Sequence, residues 1–170
     1  MSKSQPEARA TKYAPGKLQM LGGVGKPFEL EFQNAVNGET INLADHKGTV
    51  FVIDFWATWC GPCVAEMPHM KELYAEFKGK GVEFVGISLD QPEAQGGLDK
   101  LLAYVETNEI GWPQYYQGAG WDGEFSKSWG INSIPALFVV DADGNLYSTN
   151  ARGKLEQLLP ELIAKRDAKH

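Results

Sequence analysis

A continuous apolar run, TVFVIDFW at residues 49–56, constrains the fold of this chain more than any other feature. Runs of β-branched and aromatic residues without polar alternation are typical of a strand that is buried on both faces of its sheet. From Gly61 to about Lys80 apolar residues recur instead at helical spacing. A strand buried on both faces needs helices to cover it, so these neighbouring segments predict an α/β domain.

Later segments repeat this pattern. GVEFVGISLD at 81–90 predicts a second buried strand, and apolar residues spaced over 98–105 predict an amphipathic helix after it. SIPALFVVD at 133–141 and NLYST at 145–149 should form a hairpin, and a last helix follows. Near the start, PFELEFQ and ETINL flank Asn37-Gly38, a strong hairpin turn. We therefore expect a mixed central sheet flanked by helices, with an added N-terminal β-hairpin.

Composition places the chain among ordinary globular proteins. Its 170 residues suffice for one hydrophobic core, and no apolar run approaches membrane-spanning length. The formal charge of −6 gives no reason to expect nucleic acid or an anionic membrane as a partner. Residues 1–22 contain no apolar signal-peptide core, which leaves the compartment open. The first 17 residues are mildly basic, and we interpret residues 1–22 as a flexible tail or linker before a single domain at 23–170.

The chain has two cysteines, Cys60 and Cys63. A bridge between them would close almost no loop, so it would add little stability by constraining the unfolded chain. Structural zinc is one alternative, but it needs four ligands, and the chain has neither a second CxxC nor histidines at metal-ligand spacing. An inert buried pair is another. A bond of little structural value favours a third interpretation, a redox pair that is made and broken.

The position of the pair on the predicted helix supports redox chemistry. Cys60 falls at the start of the helix, where unpaired N–H groups and the helix dipole favour a thiolate. The thiolate is the nucleophile in disulfide exchange. Pro62 suits the first turn, where its missing N–H costs little. Cys63 lies one turn further on the core-facing stripe, so we expect it to attack only after Cys60 has formed a mixed disulfide.

The segment FVIDFWATWCGPC resembles the thioredoxin active site. CVAEMP and SIPALFVVDADG resemble the TlpA/ResA group of extracytoplasmic thioredoxin-like proteins, which carry the AhpC/TSA or redoxin domain. The resemblance covers residues 25–165 and implies a thioredoxin-like fold with a central insertion before Pro135. The insertion includes Trp112 and Trp121, which either border the substrate groove or, as we favour, pack into the domain.

Two carboxylates lie near the cysteines in sequence. Asp54 interrupts the apolar strand, and burial there should raise its pKa and suit it to exchange a proton with Cys63. The resemblance to thioredoxin implies the same role. Glu66 matches an acidic residue of the TlpA/ResA site. It shares the proton transfer, shapes the substrate groove, or is a solvated helix residue.

The resemblance also implies which residues bind the partner. It implies a cis peptide bond between Ile134 and Pro135, with the Ile134 backbone binding an extended segment by strand addition. Trp59, at the rim of the site, offers a flat apolar contact, and Gly61 and Pro62 complete the surface around the first sulfur.

The leading hypothesis is a thiol-disulfide oxidoreductase that reduces disulfides in partner proteins and needs no cofactor or metal besides its Cys60–Cys63 disulfide. A membrane-bound or soluble thiol protein would supply its electrons. We expect a monomer in an extracytoplasmic compartment, with the cytoplasm as the alternative. The rival functions are a redoxin-type peroxidase, whose Pro and Thr are replaced here by Ile53 and Ala57, and a non-catalytic binding module of a larger protein.

Overall fold

A computed structural model describes Met20 and residues 22–169. The predicted tail, residues 1–22, lies almost wholly outside the described residues. The strands are β1 Glu31–Gln33, β2 Thr40–Asn42, β3 Val50–Trp56, β4 Val82–Ser88, β5 Gln114–Tyr116, β6 Ala136–Val140 and β7 Leu146–Ser148. The helices are α1 Gly61–Phe77, α2 Gly97–Thr107, α3 Glu124–Ser128 and α4 Leu155–Lys169.

Five strands form the central sheet, in the order β5-β4-β3-β6-β7. Strand β3 pairs parallel with β4, and β4 with β5, whereas β6 and β7 run antiparallel to their neighbours. The expected mixed sheet is therefore confirmed. All seven residues of β3 are buried because this strand lies at the centre of the sheet, which accounts for the apolar run in its sequence.

The predicted N-terminal hairpin is also confirmed, as a separate antiparallel pair of β1 and β2. Its turn contains Gly38 at φ +78°, a conformation that side chains disfavour. The hairpin packs on β5, where the ring of Phe32 stacks on Tyr115 with centroids 5.2 Å apart. The Asn34 side chain accepts a hydrogen bond from the backbone N–H of Gln114. These contacts fix the hairpin against the edge of the central sheet.

The central insertion separates β4 from β6 and contains α2, β5, a short 3-10 turn at Gly120–Asp122, and α3. Its two tryptophans have opposite environments. Trp112 is 1% exposed and packs against Tyr74 and Phe84, so the packing interpretation is confirmed for this residue. Trp121 is 41% exposed, so the packing interpretation is wrong for it. No helix among the described residues is both long and apolar enough to cross a bilayer.

Candidate active site

Cys60 is the N-cap residue of α1, as the sequence predicts. Its sulfur accepts a hydrogen bond from the backbone N–H of Cys63 at 3.2 Å, which pairs one of the free donors of the first turn. Pro62 lies in that turn, where it removes no helical hydrogen bond. Cys60 and Cys63 form a disulfide with their Cα atoms 5.3 Å apart. Both sulfurs are thus placed at the helix end that stabilises negative charge.

The disulfide is buried, but the chain on both sides of Cys60 is exposed. Cys63 is 3% exposed and belongs to the buried stripe of α1. Cys60 is 5% exposed, but its neighbours Trp59, Gly61 and Pro62 are all exposed. A partner that contacts these three residues meets the sulfur of Cys60 first. This arrangement fits an attacking role for Cys60 and a resolving role for Cys63.

Asp54 lies in the middle of β3 and is 4% exposed. Its backbone registers with Gly86 on one side and Leu137 on the other. No donor among the described residues forms a hydrogen bond with its carboxyl group. Burial, and secondarily the charge of Glu66, raises the pKa of Asp54 to about 7. A carboxyl group with this pKa can accept or release a proton at neutral pH.

Glu66 is held by a partner that the sequence did not reveal. One of its carboxylate oxygens lies 2.6 Å from both Nε and Nη2 of Arg152. Arg152 follows β7 and is 86 positions away in the chain, so no local pattern indicated this pair. Because the charge of Glu66 contributes to the raised pKa of Asp54, the ion pair is electrostatically linked to the buried carboxyl group.

The loop before β6 lies next to the first cysteine. Its Ile134–Pro135 peptide bond is cis, as the resemblance implies. The carbonyl oxygen of Ile134 lies 3.8 Å from the sulfur of Cys60. Both loop residues are half-buried, so part of this backbone remains accessible beside the disulfide. The structure therefore brings the predicted partner-binding loop to the first cysteine.

Sequence reasoning missed Asp90, which is 1% exposed at the end of β4. Its carboxylate accepts hydrogen bonds from the backbone N–H of Thr58 at 3.0 Å and from the hydroxyl of Thr58 at 2.5 Å. The hydroxyl of Ser88 donates to its other oxygen. An acidic residue directly after a buried strand was the available signal. Through its hydrogen bonds to Thr58, Asp90 holds the loop that leads into Cys60.

Comparison with known proteins gives the site a family context. The AhpC/TSA family model matches residues 22–149. A thiol-disulfide oxidoreductase ResA from Oceanobacillus iheyensis is 33% identical over 76% of this chain, and the match covers 64% of that relative. A second ResA, from Bacillus thuringiensis, is 31% identical over 76% of this chain and 70% of its own length.

Solved structures support the fold. The C-terminal domain of a protein from Bacteroides thetaiotaomicron, assigned as a thiol-disulfide oxidoreductase, superposes with a TM-score of 0.72 at 25% identity. The superposition covers 84% of this chain and 97% of that domain. A thioredoxin domain from Bacteroides vulgatus, 22% identical, superposes with a TM-score of 0.67 over 82% of this chain and 97% of its own length. The expected thioredoxin-like fold is confirmed.

Proposed function

The chain belongs to the AhpC/TSA family and is a homologue of ResA thiol-disulfide oxidoreductases, and from this premise we propose that it reduces disulfide bonds in partner proteins. The observation that carries the proposal is the hydrogen bond from the Cys63 N–H to the sulfur of Cys60 at the start of α1. The same donor and the helix dipole would stabilise a thiolate on Cys60 after reduction of the pair.

The reaction follows from the positions of the two sulfurs. The thiolate of Cys60 attacks one sulfur of the partner's disulfide, and the other partner sulfur leaves as a thiolate that takes up a proton. Cys63 then loses its proton and attacks the sulfur of Cys60, which releases the second partner sulfur as a thiol. Two electrons pass to the partner, and the Cys60–Cys63 disulfide is left behind.

Asp54 is the proposed acceptor of the proton that Cys63 loses. It is the buried carboxyl group on the strand that leads to the site, and its pKa is raised to about 7 by burial and then by the charge of Glu66. At neutral pH a substantial fraction is ionised and able to act as a base. Glu66 adjusts the pKa of Asp54 and is itself neutralised by Arg152.

The partner is a disulfide-bearing protein whose extended segment lies along the Ile134–Pro135 loop. Support comes from the short distance between the Ile134 carbonyl and the sulfur of Cys60. The exposed Trp59, Gly61 and Pro62 provide the remaining contact surface. The disulfide pair acts without another cofactor, and a membrane-bound or soluble thiol protein restores the dithiol. The monomer and the extracytoplasmic location rest on the resemblance to the TlpA/ResA group.

Insulin reduction and the redox potential together test the function. Catalytic amounts of the protein with dithiothreitol should precipitate insulin B chain, and Cys60→Ser should abolish the catalysis. The potential of the pair should lie nearer to the value of about −270 mV for thioredoxin than to the value of about −120 mV for DsbA. An oxidising potential would overturn the proposed direction, and no catalysis of insulin reduction would overturn the proposed activity.

A further inference from the structure

Trp59 and Trp121 form an exposed aromatic patch beside the disulfide. Their rings lie 5.8 Å apart at an angle of 56°. They are 44% and 41% exposed, and among the described residues the other exposed large hydrophobic side chains are Val24 and Val36. Trp59 directly precedes Cys60, so a segment bound covalently to Cys60 must pass near the patch. Two large aromatic side chains exposed together indicate a binding surface rather than scattered surface residues.

The two tryptophans are held from behind by one short segment. The carbonyl of Leu89 accepts a hydrogen bond from the indole N–H of Trp59 at 3.2 Å. The next carbonyl, that of Asp90, accepts one from the N–H of Gly120, which precedes Trp121. The two residues that follow β4 therefore hold Trp59 and the residue before Trp121 through adjacent carbonyl groups. A surface that is already ordered loses little conformational entropy when a partner binds.

The segment that carries Trp121 is strongly acidic. Residues 89–124 include seven carboxylates and a single lysine, Lys100, so the segment has a net charge of −6. This is the same as the net charge of the whole chain. The remainder of the chain is therefore electrically balanced. Glu93, Asp122 and Glu124 are exposed and form no ion pair with a described residue. Burial is the main cause of the raised pKa of Tyr116, and the carboxylates of Glu93, Asp90 and Asp99 raise it further. Their effect is consistent with a negative potential in this region.

We propose that the aromatic patch binds a lysine or arginine side chain that lies next to the target cystine in the partner polypeptide. A cation is attracted to the negative face of an aromatic ring, most strongly to tryptophan. Asp122, which directly follows Trp121 and is exposed, adds attraction for the same cation and repels an acidic side chain. The inference rests on the proposed function, because it names the kind of disulfide that this site prefers.

Competition between matched peptides tests the preference. Three disulfide-bridged peptides would differ only in the residue beside one cysteine, which is Lys, Gln or Glu. Pre-reduced protein would be mixed with each peptide, quenched with acid, and the released thiols measured by mass spectrometry. We expect the Lys peptide to be reduced about three- to tenfold faster than the Glu peptide, with Gln between them. The ratio should fall when the salt concentration is raised to about 0.5 M.

Substitutions at Trp121 test whether the preference for the Lys peptide comes from the aromatic patch. Trp121→Ala should reduce the Lys-to-Glu ratio to below about twofold, whereas Trp121→Phe should retain a larger part of it because a ring remains. The ratio compares two substrates of one protein, so a change in thiol reactivity cancels. Val36→Ala, which removes another exposed apolar side chain, is the matched control and should keep the full ratio.

The outcomes separate this inference from the proposed function. Equal rates for the three peptides, or a preference that survives in Trp121→Ala, would overturn the inference. Rapid reduction of bis(2-hydroxyethyl) disulfide with equal peptide rates would overturn it while leaving the oxidoreductase activity in place. Failure to reduce the small disulfide and every peptide would overturn the proposed function as well. If Trp121→Ala does not fold, the inference is tested by the other two measurements. A Lys-to-Glu ratio that does not change with salt in the wild type, or that is unchanged in Trp121→Phe, would then overturn it.

Discussion

The sulfur of Cys60 lies 3.8 Å from the carbonyl oxygen of Ile134, although the two residues are 74 positions apart. The same sulfur is 3.2 Å from the backbone nitrogen of Cys63, which donates a hydrogen bond to it. The donor is closer than the acceptor, and it belongs to a helix N-terminus, so the field at this sulfur favours negative charge. In the proposed mechanism, the amide would stabilise a thiolate on Cys60, and the Ile134 carbonyl would contact the bound segment.

Removing the resolving sulfur should trap the partner. In Cys63→Ala, Cys60 can still attack a disulfide, but nothing displaces the partner, so a covalent adduct should accumulate. Non-reducing gels with an oxidised protein substrate, followed by mass spectrometry of the linked peptide, would measure it. Cys60→Ala is the matched control and should give little adduct, since Cys63 is buried. Equal trapping by both variants would contradict the assignment of the two roles.

The buried carboxyl group of Asp54 should make stability depend on pH. Its pKa is about 7 in the folded protein against 3.8 as the reference value, because burial disfavours its charge. Between these values the native state holds a proton that the unfolded state has lost. The free energy of unfolding should therefore fall as pH rises from about 4 to about 7, by an amount on the order of 4 kcal/mol.

Asp54→Asn removes this titration and provides the measurement. Guanidinium denaturation of the disulfide form at about pH 4, 6 and 8 would give the unfolding free energy of variant and wild type. The unfolding free energy of the variant minus that of the wild type should increase by a few kcal/mol from the lowest to the highest pH. Other titrating groups cancel in this difference. Parallel curves for the two proteins would show that Asp54 does not titrate in this range.

The ion pair between Glu66 and Arg152 should affect the pKa of Asp54. Glu66→Gln removes a negative charge that raises the pKa of Asp54, so the pH midpoint of mixed-disulfide resolution should move down. Arg152→Gln leaves Glu66 without its cation, so the midpoint should move up. Rapid-quench measurement of peptide release from pH 5.5 to 9 would show both shifts.

A distant ion pair supplies the control for these opposite shifts. Lys165 pairs with Glu161 within α4, and Lys165→Gln should leave the midpoint unchanged. The Glu66–Arg152 pair is partly exposed, so the effect of Glu66→Gln or Arg152→Gln on the free energy of unfolding should stay within about 1 kcal/mol. Shifts of the midpoint in the same direction for Glu66→Gln and Arg152→Gln would contradict an electrostatic link to Asp54.

Local sequence patterns predicted the strand and the helix that hold Asp54 and the two cysteines. The apolar run of β3 is buried along its whole length, and the helix begins directly after Cys60. Asp54 could be predicted as a perturbed carboxyl group because a charge inside such a run must be buried. These predictions succeed because each depends on the periodicity of one segment and on the position of one residue in it.

Contacts between distant segments could not be predicted in the same way. Trp121 and Trp112 have similar local sequences, yet one is exposed beside Trp59 and the other is in the core. Arg152 reaches Glu66 only because the chain after β7 passes α1. Side chains that meet through the packing of separate elements leave no periodic signal, so the partners of Trp59 and Glu66 required the structure.

Asp90 should contribute to stability through the loop before Cys60. Replacing it with Ala leaves the N–H and hydroxyl of Thr58 and the hydroxyl of Ser88 without their acceptor. Because unpaired buried polar groups are unfavourable, we expect Asp90→Ala to lower the free energy of unfolding by about 2–4 kcal/mol. Guanidinium denaturation at neutral pH would measure the loss.

Single hydroxyl deletions separate the parts of this network. Thr58→Ala removes one donor to the Asp90 carboxylate and should cost about 0.5–1.5 kcal/mol. Ser88→Ala removes a donor and also the acceptor of the buried Asp90 N–H, so it should cost more, about 1–3 kcal/mol. Combining either deletion with Asp90→Ala should cost less than the sum of the separate effects, because the groups share one network. Full additivity in these double variants would contradict a carboxylate that holds the active-site loop through both hydroxyl groups.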